Sequence, residues 1–153
     1  MKFSIRFVLI MVVVLSAGIV NAGIPDKADD VTTHLEFMGY SVTNSDGDFL
    51  RATHDTHVNV VLKAFRGGVL LTAYVGGSSY AADHKGDFCE LVNTLNANAA
   101  AVRYYVDSDI DLTIEGYYPG VYDWTSFSVY MEAFNLVLSE LAAKYDELEK
   151  FLD

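Results

Sequence analysis

Residues 57 to 75 constrain the fold more tightly than any other stretch of the chain. HVNVVLKAF sets Val58, Val60, Leu62 and Ala64 on one side of an extended segment, and VLLTAYV does the same with Val69, Leu71, Ala73 and Val75. Side chains alternate along a strand, so each run has one face to bury. Arg66-Gly67-Gly68 stands between them. A two-residue turn at Gly67-Gly68 predicts Ala64 opposite Leu71, Leu62 opposite Ala73 and Val60 opposite Val75. A slip by one residue would turn every one of these apolar side chains to water, so turn and pattern select the pairing together.

The remaining periodicities build around this hairpin. Ala28, Val31, Leu35 and Met38 recur at helical spacing before Gly39, a natural helix stop. Alternation begins at Tyr40, and pairing Leu50 with Val60 and Ala52 with Val58 keeps apolar against apolar. Phe88, Leu91, Val92, Leu95 and Ala99 define a second helix, preceded by what reads as a loop, GGSSYAADHKGD. Two further alternating runs predict Val106 opposite Leu112 and Tyr104 opposite Ile114 across an odd-length loop at 108–110. A long helix follows from Asp123, its N-cap. Its stripe runs through Trp124, Phe127, Met131, Phe134, Leu138, Leu141, Tyr145, Leu148 and Leu152. The order is α-β-β-β-α-β-β-α: an α+β domain with an antiparallel sheet of about five strands packed against helices.

The N-terminal MKFSIRFVLIMVVVLSAGIVNAG has the layout of a secretory signal peptide. Lys2 and Arg6 precede the apolar run from Phe7 to Leu15, and Val20 and Ala22 occupy the −3 and −1 positions of a cleavage site. The run is shorter than the ~20 apolar residues of a spanning helix, so cleavage after Ala22 and no stable membrane anchor are expected. Taking 22 residues from 153 leaves 131, one domain spanning 23–153 in the periplasm or outside the cell. The chain has 10 basic and 21 acidic residues; without Lys2 and Arg6 the balance is 8 against 21, a formal −13. With no run of clustered Lys and Arg, nucleic acid is excluded as a partner. The single cysteine, Cys89, allows no internal disulfide, and its place beside the second helix's apolar stripe reads as a buried thiol, with an intermolecular disulfide as the alternative.

Little in the sequence resembles catalytic chemistry. ATHDTH holds His54 and His57, and a tight hairpin at Asp55-Thr56 would bring their Cβ atoms within about 5 Å. That register sets Arg51 on the core face, whereas Leu50 opposite Val60 makes 54–56 a loop and sends the two imidazoles to opposite faces. Two histidines fall short of the three or four convergent ligands zinc takes, so no metal is expected. TNSDGDF and VDSDIDL both miss the glycine and final carboxylate spacing of a calcium loop. Ser78 and Ser79 lack the Gly-x-Ser-x-Gly setting of a nucleophile. No cofactor motif and no catalytic residue emerge. Two features suit binding. Tyr117, Tyr118 and Tyr122 crowd GYYPGVYDW, either covering the sheet edge or forming a recognition surface. The far end of the last helix would expose Tyr145, Leu148 and Leu152 unless it meets another chain, which makes homodimerisation through that end an expectation.

The chain resembles the YbjN family of small bacterial proteins. The resemblance lies in MGYSVTNSDGDF, in NVVLKAF with VLLTAYVGG, in LVNTLNANAAAVRYYVDSDIDLTIEGY and in WTSFSVYMEAFNLVLSEL. It implies a fold like that of type III secretion chaperones, used for protein contacts, and it carries over no catalytic residue. The leader and the tyrosine-rich loop depart from the family pattern. The expected function is a non-enzymatic exported module that binds another protein or peptide. The alternative is a small-ligand or glycan binder using the loop at 117–122. The export step has a direct check: the intact mass of the protein from the cell envelope should correspond to a chain beginning at Gly23, and a mass retaining residues 1–22 would contradict it.

Overall fold

Strand pairing organises the molecule. The structure, a computed structural model, describes residues 24–45, 49–143 and 145–153, so the leader and Asp46 to Asp48 lie outside the described residues. Among those residues no helix is long and apolar enough to cross a membrane. Strands β1 (Ser41–Ser45), β2 (Phe49–Thr53), β3 (Val60–Phe65), β4 (Gly68–Val75), β5 (Arg103–Val106) and β6 (Leu112–Tyr118) form one sheet in the order β1-β2-β3-β4-β6-β5. Every neighbouring pair is antiparallel. There are six strands rather than five, because the segment from Tyr40 to Thr53 is two strands, with Val42 opposite Ala52 and Asn44 opposite Leu50.

The β5–β6 register is the predicted one, Val106 opposite Leu112 and Tyr104 opposite Ile114. The loop between them places Ile110 at φ 73, an uncommon conformation for a β-branched residue. Asp107 holds that loop: Oδ1 accepts from the backbone N–H groups of Asp109 and Asp111, and Oδ2 from the Thr113 hydroxyl. The central hairpin is shifted by two residues from the predicted register, with Ala64 opposite Val69 and Leu62 opposite Leu71. Its turn residues are Arg66 (φ 48) and Gly67 (φ 79), both left-handed as a two-residue hairpin turn of this hand requires. Gly68 instead belongs to β4, where a Cβ would lie 2.2 Å from the Tyr118 carbonyl oxygen of β6. Similarly, β2 meets β3 with Leu50 opposite Leu62 and Ala52 opposite Val60. Both shifts are by an even number, so each apolar side chain keeps its predicted face.

Among the described residues, helices cover only one face of the sheet. α1 (Ile24–Phe37) ends at Gly39, φ +91, with the Tyr40 N–H returning to the Leu35 carbonyl. A short α2 (Ser79–Asp83), capped by the Ser78 side chain, replaces the expected loop and leads into α3 (Lys85–Asn96). α4 (Trp124–Ala142) starts at its predicted cap, Asp123, whose carboxylate accepts the Ser126 N–H at 2.8 Å. Val31 and Leu35, Phe88 and Val92, and Phe127, Met131 and Phe134 meet Leu50, Leu62, Leu71, Leu112 and Ile114 in one core. Gly116 lets α4 lie close on β6, since a Cβ there would sit 2.3 Å from the Tyr130 hydroxyl and 3.1 Å from Phe134.

The predicted long C-terminal helix is broken. After α4 the chain continues as α5 (Tyr145–Leu148) and a 3-10 turn (Glu149–Phe151) that fold back. Leu148 and Leu152 are 1% and 8% exposed and Phe151 stacks on Phe88. The Ser78 N–H reaches the Phe151 carbonyl and the Asp153 N–H the Gly76 carbonyl, fixing the tail to the start of α2. Leu148 and Leu152, which an unbroken helix would expose to a second chain, are thus buried within their own. Leu148→Ala should cost about 2–5 kcal/mol, read as a lower urea midpoint; an unchanged midpoint with altered oligomeric mass would restore the intermolecular reading.

Candidate interaction surface

The three loop tyrosines do not form one surface. Tyr117 and Tyr118 are successive in β6 and point to opposite faces. Tyr118 is buried, donates to the Val121 carbonyl and accepts the Asp123 N–H. Tyr122 is half-buried, with its hydroxyl 2.9 Å from His34 Nδ1, and burial among neighbouring carboxylates and Tyr118 pushes its pKa up to about 12. Tyr117 alone stands out, 41% exposed, edge-on to Phe65 and donating to the Arg66 carbonyl. The other candidates fare differently. Leu148 and Leu152 are core residues, and the side chain of Tyr145 lies outside the described residues. Cys89 is exposed rather than buried, because α3 turns Phe88, Val92 and Leu95 inward instead.

His34, which the sequence did not single out, joins α1 to α4. Its ring is buried, stacked on Trp124 at 3.8 Å and 6°, with Nδ1 on the Tyr122 hydroxyl and Nε2 2.9 Å from Ser128 Oγ. Trp124, read from its spacing as core, is 43% exposed: it opens α4 beyond the sheet and lies over α1.

His54 and His57 come together rather than to opposite faces, their ring centroids 4.3 Å apart beside Tyr40. The two-residue shift of β2 lengthens the loop, and His54 Nδ1 then accepts the N–H groups of Thr56 and His57 while the His54 N–H reaches Asn59 Oδ1. That nitrogen organises a turn. Among the described residues no group of three or more His, Cys, Asp or Glu is placed to hold a metal. Beneath this loop a cavity of about 270 Å³ is lined by Val58, Val75, Leu138, Leu141 and Leu148, with His57 and Asn135 among its polar groups.

The feature with most to offer a partner is the uncovered face of the sheet. Outward positions include Phe49, Arg51, Val61, Lys63, Phe65, Leu70, Tyr74, Arg103, Tyr105 and Tyr117, by strand alternation from the buried row. Tyr74 is 53% exposed and Phe65 and Tyr117 are also large and open. Guanidinium groups lie over three rings of this set: Arg51 over Phe49, Arg66 over Phe65 and Arg103 over Tyr105, each 5.2–5.4 Å from the centroid. Beside β6 the face opens into a groove of about 580 Å³ between Phe65, Arg66 and Leu70 and the segment Ala100 to Arg103. In the sequence these residues are the polar or off-phase members of each strand, so the apolar pattern passes over them.

No family model matches the chain, and no curated protein does. Among solved structures, the crystal structure of YbjN from E. coli, described as a candidate transcription regulator, superposes with a TM-score of 0.60 at 14% identity, covering 82% of this chain and 95% of that one. The fold is therefore YbjN-like.

Protonation of His34 gives this region a measurable signature. Burial lowers its pKa from the ordinary 6.5, so the unfolded chain takes up the proton at a higher pH than the folded one. Stability linked to neutral His34 is full above about pH 6.5 and is lost as pH falls through the depressed folded value. The melting temperature should drop on going from about pH 6.5 to about 5, less steeply in His34→Gln; equal slopes for both proteins would contradict this.

Proposed function

We propose that the chain is a non-enzymatic, exported protein-interaction module of the YbjN type, whose contact surface is the uncovered sheet face. One observation carries the reading: Leu70 lies opposite Tyr117, Phe65 is edge-on to that ring, and Tyr74 stands further along β4, all on a face that no helix among the described residues covers. Antiparallel sheets tolerate one solvated face, but that face then alternates to polar residues, and here it keeps large rings. Rigid aromatic side chains give contact area at small entropic cost, which suits recognition. The non-enzymatic part of the reading is supported by how its polar groups are spent. Ser78 caps α2 and donates to the Lys150 carbonyl, Asp107 holds a loop, and His54 organises a turn.

A small apolar ligand is the second reading, favoured by the cavity beneath the His54–Asn59 loop. It moves the ligand site away from the tyrosines at 117–122, which the fold disperses.

Photo-crosslinking residues placed at Tyr74, Tyr117 and Val129 separate these readings in the protein's native compartment. The interaction reading predicts discrete heavier adducts from Tyr74 and Tyr117, and none from Val129, which is exposed on α4. Adducts from Val129 alone, or from none of the three, would contradict it.

A further inference from the structure

The uncovered face is also predominantly cationic. Arg51 faces Val61, Val61 faces Thr72, Thr72 faces Glu115 and Glu115 faces Arg103, one line across five strands. Lys63 lies in the adjacent row between Phe49 and Leu70, and Arg66 lines the groove at the hairpin turn. Strands β2 to β6 place a single carboxylate on this face, Glu115, and Arg103 Nε holds it at 2.8 Å. Four of the chain's 10 cationic side chains thus share one surface of a protein with 21 acidic ones. An anionic partner is repelled by the rest of the molecule and admitted here.

We propose that this face binds an acidic, amphipathic segment of a partner protein, a proposal that rests on the interaction reading above. The carboxylates of the segment meet Arg51, Lys63 and Arg66, and its apolar side chains meet Val61, Leu70 and the rings of Phe65 and Tyr117. The aliphatic stretch between the cations, together with Ala100, Ala101 and Val102 on the groove wall, selects a peptide. A phosphodiester or uronic-acid chain brings charge but no aliphatic groups to cover it. Arg51 and Arg103 stand four inter-strand steps apart, about 19 Å, a span that about 13 residues of helix cover. The guanidinium groups are already laid over Phe49, Phe65 and Tyr105, so less side-chain freedom is lost when a carboxylate arrives.

The test uses the mature protein and a labelled helical peptide of about 13 residues, Glu on one side and Leu on the other, followed by fluorescence anisotropy. Its Lys/Leu counterpart, polyglutamate, polygalacturonate and oligothymidylate serve as competing probes. The Glu/Leu peptide should bind best, and weaken about tenfold or more in ~0.5 M salt or in the Arg51→Glu, Lys63→Glu, Arg66→Glu protein. Should that variant melt early, the corresponding Gln replacements, which remove charge without reversing it, must weaken binding in the same order. The proposal is overturned if the Glu/Leu peptide does not bind, if the Lys/Leu peptide binds equally well, or if the polysaccharide or the oligonucleotide binds more tightly. Failure here with crosslinks still forming at Tyr74 removes the acidic chemistry of the partner alone. Failure of both removes the interaction reading.

Discussion

Contact between α4 and β6 is the interaction on which the rest of the molecule depends. Phe127, Met131 and Phe134 are fully buried from α4, and Gly116 is the flat spot that admits Phe134 and the Tyr130 hydroxyl. Each such side chain contributes roughly 1.5–3 kcal/mol of burial. With α4 fixed, α1 is tied to its N-terminal end through His34 and Trp124, and the chain beyond Ala142 turns back so that Leu148, Phe151 and Leu152 close the same core. Among the described residues the covering helices are then on one side, and the opposite face of the sheet carries the exposed rings of Phe65, Tyr74 and Tyr117. The open face is a consequence of this one-sided burial.

Much of this architecture is legible in the sequence, and the errors share a physical origin. Period-two runs identify β3, β4, β5 and β6, and the odd-length loop between Val106 and Leu112 follows from pairing alone. Apolar alternation fixes which face is buried but is blind to a shift of two residues, so both central registers slid by that amount. The discriminating information is local. Arg66 accepts a left-handed conformation next to Gly67, which leaves Gly68 free for its close approach to Tyr118. The C-terminal stripe is a similar case, since a heptad pattern continues across a chain reversal when both segments bury against the same core. Leu148 and Leu152 therefore look like a partner's docking strip and are core.

The candidate surface is the part of the molecule least visible in the sequence. Arg51, Lys63, Arg66 and Arg103 are scattered over some fifty positions and gathered only by strand order, so a search for clustered basic residues passes over them. The loop at 117–122 drew attention through its composition, yet alternation along β6 divides Tyr117 from Tyr118. A residue's face, which periodicity does supply, was the better guide: Phe49 with Arg51, Lys63 with Phe65 and Arg103 with Tyr105 are each two positions apart and on one side.

The central claim, that the uncovered sheet face is where the protein meets its partner, is tested most directly by tyrosine nitration in the native compartment and in the purified protein. Tyr74 and Tyr117 report on the face, and Tyr80, 37% exposed on α2, is the internal control. The account predicts that all three react in the purified protein and that Tyr74 and Tyr117, but not Tyr80, are protected in the native compartment. Equal reaction of the three in both settings would contradict it.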